Sequence, residues 1–391
     1  MKLSFVWLHR SALAAVAAMP AILGAQPLPI GGAIGSQLAQ TPPNIYEALA
    51  VDERIGSSLI IGDTSATNIG TRLIGPRYDA TAQQYTGVVR ISMKDANGAF
   101  GTCSGSLLWD RQTILTAAHC VTNTDGSLRA TQADVRFRGT TNSSLSDVNL
   151  LNSAASITVL PGYSGAVIES NDIAVIRLNQ APPEWAESYN LFAGNPLNQK
   201  ANFSGWGRVG DGNTGDALQF GGQGRRMQGS QQWNAFANTA GNLFSGGSNQ
   251  GILVYDFDNG SYNRNRLCSV FGLPDGSANP LCETGYGLDE VGVGRGDSGG
   301  PGFVFNVLNG KWEIAGVASW GTGGFAANTE TGACPNSGLS CFGAFGGHTA
   351  VGRDVAFNFI TAQTVPEPGT WALMVVGLAG ISVVTRRRNV A

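Results

Sequence analysis

The chain has 391 residues, with 24 Lys or Arg against 27 Asp or Glu and a net charge of −3. Charged residues make up 13%, about half the roughly 25% of an average globular protein, while glycine, at 55 residues, has about twice its usual share. This composition excludes wholesale disorder and argues against a nucleic-acid binder, which would carry a basic footprint; it favours a loop-rich, exported, all-β protein.

In chain order, Lys2, His9 and Arg10 precede an apolar run over 11–23 and the small residues Gly24 and Ala25. This three-part pattern reads as a secretory signal peptide over 1–25, with signal peptidase as a partner. The run is too short for a bilayer span, which takes about 20 residues. Residues 26–72 hold Pro27, Pro29, Pro42 and Pro43 with weak periodicity, and read as a leader or pro-segment with one short helix around 45–54. From Val88 onward short apolar runs recur between turn signals. Strands are expected over 88–92, 106–108, 113–116, 134–137, 156–160, 173–176, 302–305 and 312–317. The Gly-, Asn- and Gln-rich stretch 207–251 reads as an inserted surface loop, and 351–362 as one closing helix.

The C-terminal end reads Val365-Pro366-Glu367-Pro368-Gly369, then an apolar stretch over 370–385, then Arg386-Arg387-Arg388. It resembles a PEP-CTERM sorting tail over 365–391. The resemblance implies a Gram-negative bacterium whose exosortase recognises and removes the tail at the envelope. The other reading is a plain transmembrane anchor with its arginines on the cytoplasmic side. Both put the body at the cell envelope, the cell surface or in the extracellular matrix.

Six cysteines remain in the body: Cys103, Cys120, Cys268, Cys282, Cys334 and Cys341. An even count in an oxidising compartment points to three disulfides, with 15 pairings open. No C-x-x-C pair is present, which argues against zinc. His9, His119 and His348 are the only histidines, so a multi-histidine metal site is all but excluded. No cofactor or metal is expected.

Three segments carry chemistry: Thr116-Ala117-Ala118-His119-Cys120, Asn171-Asp172-Ile173-Ala174-Val175 and Gly296-Asp297-Ser298-Gly299-Gly300-Pro301. A serine hydroxyl needs a base within hydrogen-bond reach to act as a nucleophile at neutral pH. An imidazole supplies that base, and a buried carboxylate fixes its tautomer. Glycines around the serine let the backbone turn tightly and aim amides at a developing oxyanion.

On these boxes, together with Cys103-Ser104-Gly105-Ser106-Leu107, Ser204-Gly205-Trp206-Gly207 and Ser319-Trp320-Gly321, the sequence resembles the trypsin-like, chymotrypsin-fold serine proteases over about 73–362. The resemblance implies two antiparallel six-stranded β-barrels with a C-terminal helix. It implies His119 as general base, Asp172 as orienting carboxylate, Ser298 as nucleophile, and the amides of Gly296 and Ser298 as oxyanion hole. Asp297 would pair with a new N-terminus made by cleavage after Arg72, which frees Leu73; Arg54-Ile55-Gly56 is a second junction. The implied disulfides are Cys103–Cys120, Cys268–Cys282 and Cys334–Cys341.

The implied pocket is formed by Gly292, Val293, Ser319, Trp320, Gly321 and Gly346. Gly292 stands where trypsin-type members carry an aspartate. Glycines at 321 and 346 predict an open pocket for medium or large apolar side chains, with Glu330 able to supply the absent charge. The family's cysteine four positions before the nucleophile is Gly294 here. His348 falls where the family has an aromatic and reads as structural, and Asp256-Phe257-Asp258-Asn259-Gly260 as a solvated acidic turn. The reading is a serine endopeptidase acting on peptides. The alternatives are an inactive protease-like binding module or an exopolysaccharide matrix component.

Overall fold

The computed structural model describes residues 58–62, 78–140, 148–153, 156–168, 170–208, 210–212, 215–216, 226–238, 251–262, 264–322 and 340–364. Strand β1 (Ser58–Gly62) comes first. The first large sheet follows, with β2 (Val88–Asp95), β3 (Gly98–Leu107), β4 (Thr113–Thr116), β5 (Gln132–Phe137), β6 (Val148–Ser153), β7 (Ile157–Val159) and β8 (Ala174–Arg177). The second takes β9 (Ala201–Gly205), β11 (Met227–Gln231), β12 (Ala235–Phe236), β13 (Ile252–Phe257), β15 (Pro301–Asn306), β16 (Lys311–Gly321) and β17 (Ala344–Ala350). The remaining strands are β10 (Gly210–Asp211) and β14 (Val291–Arg295); the α-helices are α1 (Arg266–Val270) and α2 (Asp354–Thr364).

Each large sheet has seven strands rather than six, and the reason is the same in both. The first runs β6-β5-β2-β3-β4-β8-β7, so its two edges, β6 and β7, are consecutive in sequence. β6 pairs with β5 and β7 with β8. The second runs β11-β9-β15-β16-β17-β13-β12, with the nearly consecutive β11 and β12 at its edges. In each case one stretch of chain changes partner part-way and pairs with both edges, which curls the sheet into a barrel and removes its open edges. Counted that way each barrel has six strands. The described residues are mostly β, with two antiparallel barrels and a short C-terminal helix.

The first barrel is built by alternation: β5 buries every second residue, Ala133, Val135 and Phe137. The second is not. β13 and β17 are buried along their whole length. Their inner face packs in a cluster with Phe203, Trp233, Leu253 and Tyr255. Their outer face is covered by the segment that carries α1 and the Cys268–Cys282 bridge, through Leu267, Phe271 and Leu281 against Ile252, Val254 and Phe345. The stretch read as a surface loop therefore contributes β11 and β12 to this barrel, and Trp233 within it is fully buried. The polar residues that suggested a loop are satisfied internally: Gln231 Nε2 donates to the carbonyls of Asp256 and Val291. The acidic stretch is solvated only at Asn259 and Gly260. Asp256 and Asp258 are buried, and their carboxylates accept from the amides of Leu267 and Gly260. Burial, with the charge of Asp258 nearby, pushes the carboxyls of Asp256 and Glu290 well above the usual carboxylate range.

Helix α2 begins at Asp354 rather than at 351 and runs to Thr364. Val351 is still buried at the end of the second barrel, and its amide bonds to Ala315 O, so the chain turns into the helix only after Gly352. The leader helix expected at 45–54 and the apolar tail at 370–385 lie outside the described residues. Among the described residues no helix is long and apolar enough to cross a membrane. Nor did the sequence signal β1. This strand, in the stretch read as a leader, pairs parallel with β10 and antiparallel with β14, with Ile60 opposite Val293 and Ile61 opposite Gly292.

His348 lies at the centre of the second barrel, fully buried, its ring 4.2 Å from that of Phe203 and 5.3 Å from that of Trp233. Neither ring nitrogen has a hydrogen-bond partner among the described residues. Burial alone lowers its pKa to about 3, against roughly 6.5 in an unfolded chain. The unfolded state then takes up a proton that the folded state refuses, so the stability tied to this residue is complete above about pH 6.5 and is lost as pH falls towards 3. His348→Phe is expected to flatten that limb. Urea unfolding at pH 7 and pH 4 should show wild type losing on the order of 3 kcal/mol more than the variant between the two.

Candidate active site

The two barrels meet along a seam, and the chemistry-bearing residues come from both sides of it. On the first barrel, the short turn Ala118–Cys120 after β4 carries His119. The Cys103–Cys120 disulfide ties that turn to β3, with the sulfurs 2.00 Å apart. Asp172 precedes β8, whose pairing with β4 brings it across to the histidine. Asp172 holds His119 at two points. Its Oδ2 lies 2.7 Å from Nδ1, and its Oδ1 accepts from the His119 amide at 2.8 Å. The carboxylate is fully buried, while 10% of the imidazole side chain is exposed. An acceptor-only carboxylate on Nδ1 fixes the proton there and leaves Nε2 as the basic nitrogen of the neutral ring.

Ser298 comes from the second barrel, in the tight turn between β14 and β15. Gly296 and Gly299 hold φ values of 117° and 81°, which a side chain would strain. A Cβ on Gly299 would lie 2.1 Å from Thr116 Oγ1 and 3.0 Å from Ala117 N. The turn thus lies against the residues that lead into His119. Its backbone is fixed from both barrels: Ser104 N donates to Ser298 O at 2.8 Å, and Gly299 N to Ala318 O at 2.8 Å. Ser104 adds a second clamp. Its hydroxyl donates to Gly296 O at 2.7 Å and accepts from Trp206 N at 2.9 Å.

Ser319, expected in the pocket wall, meets the buried carboxylate. Its hydroxyl bonds to Asp172 Oδ2 and lies 2.6 Å from Val167 O, so it is a further partner of the buried carboxylate. Nothing in the sequence pattern marked this contact, which joins residues 147 positions apart. The space beside Gly346, expected to be open, is filled by the phenol of Tyr255; a Cβ there would lie 2.1 Å from its Oη. At Gly292 a Cβ would come within 3.0 Å of Ser340 Cβ. Trp320 is buried on the outer face of β16, in the cluster under the α1 segment.

Asp297 is buried behind the turn. Oδ1 accepts from Gly207 N at 3.2 Å, and Oδ2 has no partner among the described residues. Burial pushes this carboxyl well above the usual carboxylate range, opposed by the Gly207 amide and reinforced by the charge of Asp216. Arg72, Leu73, Glu330 and Cys334 lie outside the described residues. Cys341 is disulfide-bonded. The cluster with metal-ligand types among the described residues is Cys103, His119 and Cys120. Its sulfurs are joined to each other, and a disulfide sulfur is not the thiolate a metal takes.

Residues 75–251 match the trypsin family, a segment that holds His119 and Asp172 and ends before Ser298. Residues 364–388 match the PEP-CTERM protein-sorting motif. No curated protein matches the chain. Among solved structures the chain is similar to an HL collagenase at 18% identity, covering 73% of this chain and 96% of that one with a TM-score of 0.45.

The Ser104 clamp is testable without any assay of function. Ser104→Ala leaves Gly296 O and Trp206 N buried without that partner, at a cost of about 1–3 kcal/mol each at most. Urea unfolding should show the loss, and hydrogen exchange should show the Trp206 amide less protected. Unchanged protection of that amide would rule the clamp out.

Proposed function

We propose that this chain, which carries a trypsin domain and a PEP-CTERM sorting motif, is an exported serine endopeptidase that cleaves after apolar residues. The observation that carries the proposal is the two-point hold of the buried Asp172 on His119, beside a glycine turn that presents Ser298. Ser298 is the nucleophile, His119 the general base and Asp172 the group that orients it. The amides of Gly296 and Ser298 form the oxyanion hole.

In this reaction Ser298 Oγ attacks the scissile carbonyl carbon while its proton passes to His119 Nε2. Electrons shift onto the carbonyl oxygen, where the oxyanion hole stabilises them. Collapse expels the amine, which takes the proton from Nε2, and leaves an acyl-enzyme. Water then repeats the sequence and frees the acid. Asp172 stays ionised throughout and stabilises the imidazolium; Ser319 supports it with a charge-assisted hydrogen bond.

The chain is made as a precursor. Residues 1–25 leave with signal peptidase, 26–72 form the leader, and an exosortase processes 365–391. The unpartnered oxygen of Asp297 supports activation by a cation. Cleavage after Arg72 frees the Leu73 ammonium for that role, and the second junction, after Arg54, frees Ile55. Only the Arg54 cut leaves β1 in the enzyme. N-terminal sequencing of active enzyme separates the two, and Gln26 as first residue would refute activation by a second cut.

Ser298→Ala, His119→Ala and Asp172→Asn are each expected to lower peptide hydrolysis by about 10⁴-fold or more. The double variant His119→Ala/Ser298→Ala should be scarcely worse than either single one, because the three act as a unit. Wild-type turnover in any single variant would overturn the assignment. An organophosphate that fails to label Ser298 in the processed enzyme would favour a binding module instead.

A further inference from the structure

The protease reading leaves the size of the accepted side chain open, and the strands flanking Ser298 bear on it. β14 ends three residues before Ser298, and β16 carries Ser319 against the Asp172 carboxylate. On the protease reading, the pocket that the resemblance implies for the side chain next to the attacked carbonyl lies between these two strands. Their facing positions are Val293 and Gly321. A Cβ on Gly321 would already stand 3.2 Å from Val293 O, 3.3 Å from Val293 Cγ2 and 3.4 Å from Ser340 Oγ. An aromatic ring needs roughly 3.5 Å of clearance on each face, and the walls stand too close to give it.

The depth of the space is also occupied. Tyr255, fully buried on β13, directs its phenol to Gly346, and its Oη accepts from Val293 N at 2.9 Å. Ser340, held in the left-handed region at φ 54°, bonds through its hydroxyl to Val293 O and stands against Gly292. Its amide donates to Thr322 O at 2.7 Å. Both main-chain polar groups of Val293 are therefore taken by side chains that fill the base, one from each side. Phe257 closes the remaining approach, 3.4 Å from a Cβ on Gly292.

We infer that Tyr255 and Ser340 are specificity-determining residues that plug the primary pocket and restrict the residue before the cleaved bond to a small apolar one, alanine or valine. The inference rests on the protease reading and narrows it. A leucine, phenylalanine or arginine would have to displace the Tyr255 phenol and break its bond to Val293 N. Tyr255 and Ser340 are uncharged, so the plug itself offers a cationic side chain no ion pair in return for desolvation.

The test uses the full chain processed to active enzyme and a peptide set that varies only the residue before the scissile bond. Alanine and valine substrates are expected to exceed leucine, phenylalanine and arginine by tenfold or more in kcat/KM. Tyr255→Ala should move the phenylalanine-to-alanine ratio up by at least tenfold. Should that variant fail to fold, Ser340→Gly must raise the leucine-to-alanine ratio, and the wild-type profile decides in any case. Equal or better cleavage after phenylalanine, leucine or arginine by wild type overturns the plug. If hydrolysis is lost in Ser298→Ala, the protease reading survives that result. No hydrolysis of any peptide by the processed wild type would instead count against the protease reading itself.

Discussion

The proposed site depends on keeping two barrels in one fixed register. His119 and Asp172 belong to the first and Ser298 to the second, and a shift of about 1 Å between them would separate the base and nucleophile that the proposal assigns. The register is held at Ser104. Its amide bonds Ser298 O, its hydroxyl bonds Gly296 O and Trp206 N, and its carbonyl accepts from Thr116 Oγ1. One residue of β3 thus touches the turn that carries Ser298 and the strand that leads to His119. Trp206 extends the joint: its Nε1 donates to Val88 O in the first barrel, and the guanidinium groups of Arg138 and Arg226 lie over its ring. Arg226, almost fully buried, donates to the carbonyls of Ala80, Arg138 and Gly139 and pins the same seam further along.

A chain with so few charges places a large share of its important ones indoors. Asp172, Asp297, Asp256 and Glu290 are all buried, and each is met by main-chain or side-chain donors. The donor sets differ in completeness. Asp172 accepts from the His119 amide and ring and from Ser319. Asp297 has a single amide at 3.2 Å. Burial favours the neutral acid at Asp297 against the one described amide, and a cation brought to it would favour the charged form.

The sequence was informative where apolar runs stand between turn signals or where chemistry forces a residue type. β2, β4, β5 and β8 of the first barrel were legible from such runs, and the boxes around His119, Asp172 and Ser298 from their residue types and order, with glycines marking the Ser298 turn. The second barrel was less so. β13 and β17 are buried on both faces, so no alternation marks them, and β17 is largely small residues packed under Tyr255 and Trp320. β11, Met227-Gln228-Gly229-Ser230-Gln231, is polar because buried amides there serve as hydrogen-bond donors, and composition read it as loop. The contacts of Ser319, Tyr255 and Ser104 pair residues far apart in the chain. No local pattern announces them. Strand β1 was missed for the same reason, since its partners lie in β10 and β14.

The distances along the chain have a consequence in time. Tyr78 reaches Leu288 across 210 residues, and Ser104 reaches Gly296 across 192. Such closures come late in folding, because the entropy of bringing distant segments together must be met before their contacts form. An exported chain emerges with its N-terminal end leading. The half that holds His119 and Asp172 can therefore collapse while β14 to β17 are still in transit. The seam between the barrels is incomplete until nearly the whole body has crossed. The long-range topology thus postpones assembly of the site to the far side of the membrane.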